Sequence, residues 1–361
     1  MVGTIKDAQI VTNAPSDWLM NQYTWSQCLC YSLANSSIVA LNFYTLNSTC
    51  QLFTNVSSYP FQIVKNSNVT TYLLKQLTRY APCCSNISWL MTQIQSAAKT
   101  LSMPSITSLA LDSINQRLGV VASAVLRSVS LDSFALLNVS VGLAANSQTI
   151  SYSQGLFYTG VYPVTAPFAF TIYSGQNFSK IGSMNFTGGG PQRIIWLFND
   201  TLVCVLLQTN PSTISKANFY NWPSGTLVQS ITLSITNAYG LGKAPNNDTF
   251  VYITDGSTGG DVWQLRTSAP YNFTLFALTT NATETPASVT VDGCNRVWVV
   301  YAKFGVRIYD LNSRALLMSW KLFPTYPLLY DLVLSDQYQL YLADYSTGKL
   351  ARYGSGIQCT A

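Results

Sequence analysis

Apolar residues along this chain come mostly in short alternating or continuous runs separated by turn residues. The clearest stretch is Ser288 to Asp310. There Val297, Trp298, Val299, Val300 and Tyr301 form an unbroken β-branched and aromatic run, Gly305 follows, and Val306 to Tyr309 alternate. Branched and aromatic side chains pack well on a pleated surface, and glycine supplies the positive φ that a hairpin needs. Two consecutive strands are predicted.

The phrase recurs. Asp336 to Tyr353 repeats it 44 residues on. Within Asn247 to Trp263, Asp255-Gly256-Ser257-Thr258-Gly259 matches Asp344-Tyr345-Ser346-Thr347-Gly348. Upstream, Arg117 to Val121 lines up with Arg296 to Val300, while Leu202 to Leu206 and Leu156 to Tyr158 fill the gaps. Six copies at this period match a propeller blade, four strands in about 40–50 residues. A sandwich shares short strands and turn spacing but has no reason to repeat one phrase at multiples of one period. The expected fold is mainly β: a six-bladed β-propeller over residues 101–361, preceded by a small disulfide-rich α+β module over residues 1–100.

The module carries Cys28, Cys30, Cys50, Cys83 and Cys84. Thr24 to Leu33 is predicted as a short helix, Ile38 to Tyr44 and Cys50 to Phe53 as strands, and Trp89 to Leu101 as a helix. So small a domain needs disulfides to supplement its core. Zinc is disfavoured, because the chain has no CxxC pair and no histidine. Cys204, Cys294 and Cys359 follow, so each part holds an odd number. Either a disulfide crosses the boundary or each part keeps an unpaired thiol. Cys204, in the apolar run Leu202 to Leu207, reads as a buried free thiol. Cys294 and Cys359 are then the expected propeller pair, and one N-terminal cysteine, from Cys83-Cys84, is left free or cross-linked to another chain.

Composition changes the picture in one respect. Charged residues make up 9% of the chain against 48% hydrophobic, where about 25% charged is ordinary. Something else must keep the surface wet, and Asn-x-Ser/Thr acceptors supply it: Asn35, Asn47, Asn55, Asn68, Asn86, Asn138, Asn177, Asn185, Asn199, Asn247, Asn272 and Asn281. That is roughly twice what chance would place. The expectation is an N-glycosylated, secreted, extracellular protein whose targeting segment is absent from this sequence. The net charge of +5 is scattered, which leaves no footprint for nucleic acid. No apolar run reaches the roughly 18–20 residues of a membrane span.

Trp25 to Phe53, with its cysteine-bearing helix, "ALNFY" strand and "CQLF" strand, resembles a PAN/apple-like module. With Cys83-Cys84 and the "VDGCNRVWV" blade, the whole chain resembles uncharacterised secreted six-bladed propellers of the bdelloid rotifer type. It is also similar to the wider group of NHL-repeat and gluconolactonase-like propellers. The resemblance implies an extracellular fold and transfers no activity from the rotifer type. Gluconolactonase-like sites resemble one another in a Glu, Asn and Asp cluster holding a divalent cation. Here the single glutamate, Glu284, falls in a loop beside the Asn281 acceptor and is expected to be exposed. Without histidine, Ser-His-Asp and Cys-His catalysis are excluded. Asp255, Asp292, Asp310, Asp336 and Asp344 fall at repeated turn positions, where aspartate bends the backbone. Gly188-Gly189-Gly190-Pro191 marks a blade junction and not a phosphate loop. No catalytic, cofactor or metal residue is expected.

Trp263, Trp298, Tyr309, Tyr341 and Tyr353 read as core, and the aromatics of Tyr152 to Tyr162 and Phe219 to Trp222 as loop residues. The expected function is a non-enzymatic structural protein that self-assembles into a fibre or matrix. Val2 to Asn13 is read as an extended arm that adds a strand to a neighbour or docks on its own module. The alternative is a propeller that recognises carbohydrate or an extracellular protein; a gluconolactonase-like metal-dependent hydrolase ranks behind both.

Overall fold

The computed structural model describes residues 3–12, 16–19, 24, 27–28, 32, 38–54, 61–73, 86–144, 147–161, 169–186, 189–208, 214–245, 247–279, 281–354 and 356. Two compact units are resolved, one within residues 1–87 and one within 88–357.

The first unit is a five-stranded antiparallel sheet of β1 (Gly3–Thr12), β2 (Ser16–Leu19), β3 (Ala40–Tyr44), β4 (Thr49–Phe53) and β5 (Phe61–Leu73), in the order β1-β5-β3-β4-β2. The β3–β4 hairpin is the pair expected from the sequence. Thr24 caps a helical turn: its Oγ1 accepts from the Gln27 N–H at 3.3 Å, and its own N–H donates to Gln27 Oε1 at 2.8 Å. This reciprocal pairing is the capping box of a Thr-x-x-Gln sequence. It leads to Cys28, which is bonded to Cys50 on β4 with 6.2 Å between Cα atoms. Both cysteines lie in a buried cluster with Ile38, Leu41, Phe43 and Leu52. Cys30, Cys83, Cys84 and Cys359 lie outside the described residues.

The N-terminal arm is docked on its own module. β1 pairs antiparallel with β5, and Ile10 is fully buried. Its N–H donates to Asn42 Oδ1 at 3.0 Å, and Asn42 Nδ2 donates back to the Ile10 carbonyl at 2.9 Å.

The second unit opens with α1 (Ile87–Gln95), whose Leu90, Met91 and Ile94 are buried. The helix predicted over Trp89 to Leu101 therefore stops early. Ala98–Ser102 is a strand, β6, because its backbone pairs with a segment some 250 residues downstream. Twenty-three further strands follow: β7 (Ile106–Asp112), β8 (Arg117–Ala122), β9 (Val125–Ser130) and β10 (Leu136–Gly142); β11 (Ser147–Ser153), β12 (Leu156–Val161), β13 (Ala169–Ser174) and β14 (Lys180–Asn185); β15 (Gly190–Leu197), β16 (Leu202–Gln208), β17 (Ser215–Asn221) and β18 (Leu227–Thr232); β19 (Ala238–Ala244), β20 (Asn247–Asp255), β21 (Val262–Arg266) and β22 (Phe273–Ala277); β23 (Thr285–Val291), β24 (Arg296–Ala302), β25 (Gly305–Asp310) and β26 (Leu316–Lys321); and β27 (Leu329–Leu334), β28 (Leu340–Asp344) and β29 (Lys349–Tyr353).

Each consecutive group of four forms one antiparallel sheet, and β6 completes the last as its outermost strand. Every sequence copy falls on one second strand or its neighbour, which is why the period was visible. The first strands of successive sheets touch in turn, and β27 returns to β7, so the six sheets close a ring. Burial follows radial position. β8, β24 and β28 are buried throughout, whereas β18 and β26 alternate exposed and half-buried. A strand covered on both faces by neighbouring sheets must be continuously apolar; a rim strand need not be. Apolar clusters fill the interfaces, such as Leu109, Val120 and Leu118 against Tyr341 and Ala343. Gly305 has φ +143°, and a Cβ there would lie 2.1 Å from the Trp320 carbonyl oxygen, so the turn requires glycine. Gly189 and Gly190 stand at the junction between the second and third sheets, as expected. Among the described residues no helix is long and apolar enough to cross a membrane.

Candidate functional site

The first strand of every sheet shifts register near its start. The breaks fall between Ile106 and Ser108, Ser147 and Thr149, Pro191 and Arg193, Ala238 and Leu241, Pro286 and Ser288, and Leu329 and Asp331. Such bulges bend a strand and re-aim its side chains, and they recur beside functional sites. They set Ser108, Thr149, Arg193, Ser288 and Asp331 at equivalent places around the axis of the ring.

Three of these meet. Asp331 Oδ2 accepts from Ser108 Oγ, the Leu109 N–H and Arg193 Nη2, each at 2.8 Å, and Oδ1 accepts from the Leu332 N–H at 2.9 Å. Ser108 Oγ in turn accepts from the Ile150 N–H at 3.1 Å, and Arg193 Nη1 donates to the Ile150 carbonyl at 3.1 Å. Arg193 belongs to the third sheet and Asp331 to the sixth, so the ion pair crosses the axis. Both side chains are buried. The first, second, third and sixth sheets are thereby tied at the centre.

Beside this plug lie Tyr239, Tyr330 and Tyr345, with centroid separations of 6.0 Å and 5.1 Å along the chain of rings. Gln208 Nε2 donates to Asn237 Oδ1 at 2.9 Å. Gln192 is 1% exposed, yet neither its Nε2 nor its Oε1 has a hydrogen-bond partner; Thr149 Oγ1 is likewise unsatisfied. Buried polar atoms left in this state are uncommon in folded proteins.

The five turn aspartates are not brought together. Asp255 Oδ1 accepts from the Ser257 N–H and Oγ, Asp310 Oδ1 from Asn312 and Ser313, and Asp344 Oδ1 from Ser346. Asp292 accepts from the Cys294 and Arg296 N–H groups and from Arg296 Nε and Trp298 Nε1. Asp336 is exposed. No group of three metal-ligating side chains occurs among the described residues.

Glu284 corrects an expectation. It is buried, not exposed, and lies 2.7 Å from Arg307 Nη1. Asn281 faces solvent, but the chain turns inward within three residues to begin β23, where Arg307 stacks over Tyr301 and Phe304. Tyr152, Phe157, Tyr158, Phe219 and Tyr220 also differ from expectation, lying in β11, β12 and β17 and not in loops. Trp298, Tyr309, Tyr341 and Tyr353 are buried, and Trp263 is half-buried against Phe273. Cys204 is a buried free cysteine, and burial pushes its thiol pKa up. Cys294 is disulfide-bonded.

Asp331 and Arg193 were missed in the sequence. For Asp331 the signal was a lone charge inside an otherwise apolar strand, since charged groups are almost never fully buried unpaired.

The acceptor asparagines share one property. Asn47, Asn68, Asn86, Asn138, Asn177, Asn185, Asn199, Asn247, Asn272 and Asn281 are all exposed. Asn35 and Asn55 lie outside the described residues.

No known protein family and no curated protein matches the chain. Solved structures do. A gluconolactonase of Xanthomonas campestris aligns with TM-score 0.59 at 12% identity, covering 73% of this chain and 92% of its own. A luciferin-regenerating enzyme aligns with TM-score 0.57 at 12% identity, covering 72% and 95%. The Cps50 (Swd1) β-propeller domain of Myceliophteria thermophila aligns with TM-score 0.51 at 9% identity, covering 69% and 82%. At such identities the likeness is one of fold, and the fold is a β-propeller.

Proposed function

We propose that the chain is a secreted, N-glycosylated, non-enzymatic structural protein that self-associates into a fibre or matrix. In this reading the six sheets are the blades of one six-bladed propeller, which takes in β6 and so begins ahead of the expected residue 101. The first unit, within residues 1–87, is then a disulfide-rich, PAN/apple-like module, a reading supported by its five-stranded sheet and the helical turn tethered through Cys28–Cys50. The observation that carries the reading is the exposure of every described acceptor asparagine on a surface poor in charge. At least ten of the thirty-three charged residues are buried, among them Arg117, Arg193, Arg296, Arg307 and Arg352, so the surface holds still less charge than composition implies. Glycan is the remaining means of keeping it hydrated. Because the inner edge of β1 is taken by β5, self-association through the arm is confined to its outer edge.

Electron microscopy of the secreted, glycosylated chain tests this. Ordered fibres or arrays are expected, with glycopeptide mass spectrometry finding most acceptors occupied. Dispersed single particles with bare asparagines overturn it.

A second reading, recognition of a hydroxyl-rich ligand such as a glycan, is favoured by the unsatisfied amide of Gln192 and hydroxyl of Thr149 on the inner strands β15 and β11, and by the tyrosine chain of Tyr239, Tyr330 and Tyr345. Aromatic faces and amide groups are the chemistry that binds sugars.

A further inference from the structure

We propose that the glycan carried at Asn247 docks its innermost sugar on the chain itself, in a cleft between the fourth and fifth sheets. This rests on the N-glycosylated reading above. The cleft is lined from the fourth sheet by Asn247, Phe250, Tyr252 and Gln264, and from the turn after β25 by Leu311 and Asn312. The acceptor is thus part of the wall. Asn247 pairs with Ala244 across the β19–β20 ladder, and the Thr249 N–H donates to Asn247 Oδ1 at 2.9 Å. That bond holds the side chain by its oxygen and leaves Nδ2, the atom to which a glycan is joined, outside it.

The lining has the chemistry of a sugar ring. One face of a hexopyranose is made of C–H groups and packs on apolar or aromatic surface, which half-buried Phe250 and Leu311 supply. Its rim carries hydroxyls and, in the innermost sugar, an acetamide, and these need donors and acceptors. Gln264 and Tyr252 are 8% and 2% exposed. Arg314 Nη2 donates to Gln264 Oε1 at 3.1 Å, but Gln264 Nε2 stands 3.5 Å from the Tyr252 hydroxyl, at the long limit of a hydrogen bond. Both groups therefore keep capacity for a partner in the cleft. Exposed Asn312 adds a second amide at the rim.

Size selects a tethered occupant. The cleft holds about 100 Å³, several times the roughly 10–15 Å³ that one water needs. It falls short of the roughly 300–1,000 Å³ of a pocket that takes up a free small molecule. A single ring can lay one face in it. Such a shallow site binds a free sugar weakly, but attachment at its wall turns binding into an intramolecular event, with an effective concentration on the order of millimolar for a short link.

The test is the rate at which peptide-N-glycosidase releases each glycan from the secreted, folded full chain. Release is followed acceptor by acceptor with glycopeptide mass spectrometry, for wild type, Phe250→Thr and Asn312→Trp. The first substitution removes the ring on which the sugar packs and keeps a strand-forming residue; the second, at an exposed position, fills the cleft. Neither alters the Asn247-Asp248-Thr249 acceptor, and circular dichroism checks that the fold is kept. Wild type is expected to release the Asn247 glycan at least roughly tenfold more slowly than either variant, the factor that about 1.4 kcal/mol of docking supplies. Release at Asn138 and Asn177 is expected to be unchanged. Equal release at Asn247 in all three proteins overturns the docking and leaves glycosylation standing, as does a bare Asn247 among occupied acceptors. If every acceptor is bare, both fall.

Discussion

Asp331 is a carboxylate set in the apolar strand Leu-Tyr-Asp-Leu-Val-Leu, tolerated there because four donors surround it. Asp331→Leu would leave the Arg193 guanidinium buried without its counter-charge, and its Nε already lacks a partner. Breaking one side of a buried pair costs about 3–5 kcal/mol, whereas replacing both sides with apolar groups is often neutral. Urea unfolding should therefore show a large loss for Asp331→Leu and substantial recovery when Arg193→Met is added. A loss below about 1 kcal/mol, the scale of an exposed pair, would show that the pair does not hold the ring. The turn aspartates were legible because an aspartate bonds amides two or three residues away, a local rule. Asp331 was not, because its partners Ser108 and Arg193 reach it only once the ring has closed. Glu284 was misread for the same reason: its surroundings are Arg307 and two aromatic rings from β24 and its turn, not the adjacent Asn281.

Strands were legible wherever the phrase repeated, since each copy carried its own hairpin. The one long helix was over-extended. Ala97 to Leu101 continues an acceptable helical spacing, but β29 offers those residues a ladder from Lys349 to Tyr353, and the ladder wins. The arm shows the same competition. Its sequence suited either a neighbour's edge or its own module, and Asn42 explains the outcome. This buried side chain, in the middle of β3, exchanges hydrogen bonds with both backbone groups of Ile10 and accepts from Thr71 Oγ1 at 2.8 Å. Deleting residues 1–12 removes those partners and uncovers the pocket of Ile10. Each buried polar group left unpaired costs about 1–3 kcal/mol. The deletion is expected to lower the thermal midpoint of the first unit, followed by hydrogen exchange at β3 and β5, while exchange at β24 stays unchanged. Unchanged protection at β3 would mean the arm is merely laid on the sheet.

For the molecule as a whole, charge and tyrosine have moved inward. Arg117 stacks over Phe178, Arg296 over Tyr338 and Arg352 over Phe134, each on the next sheet round the ring. Cations and aromatic rings thus fasten neighbouring sheets, and composition alone gives no hint of it, because a low charge count does not say where the few charges lie. The tyrosines give this arrangement a pH signature. Burial pushes Tyr158, Tyr252, Tyr338 and Tyr341 up to about 12, against an ordinary 10. Tyr301 is raised well above 10, by burial and by its neighbour Tyr309. A raised folded-state value means that the native chain keeps protons which the unfolded chain gives up. Below pH 10 both states are protonated, and the contribution of the buried tyrosines to stability is fully present and independent of pH. Between about 10 and 12 only the unfolded chain ionises, so stability falls as pH rises, and the contribution is lost once the folded values are passed. Tyrosinate absorbance and the urea midpoint, both followed from pH 8 to 12, should move together: delayed ionisation in the native protein, and a midpoint that is flat to about pH 10 and then declines. Full ionisation near pH 10 with the fold intact would place these phenols in water and undo the packing described for the ring.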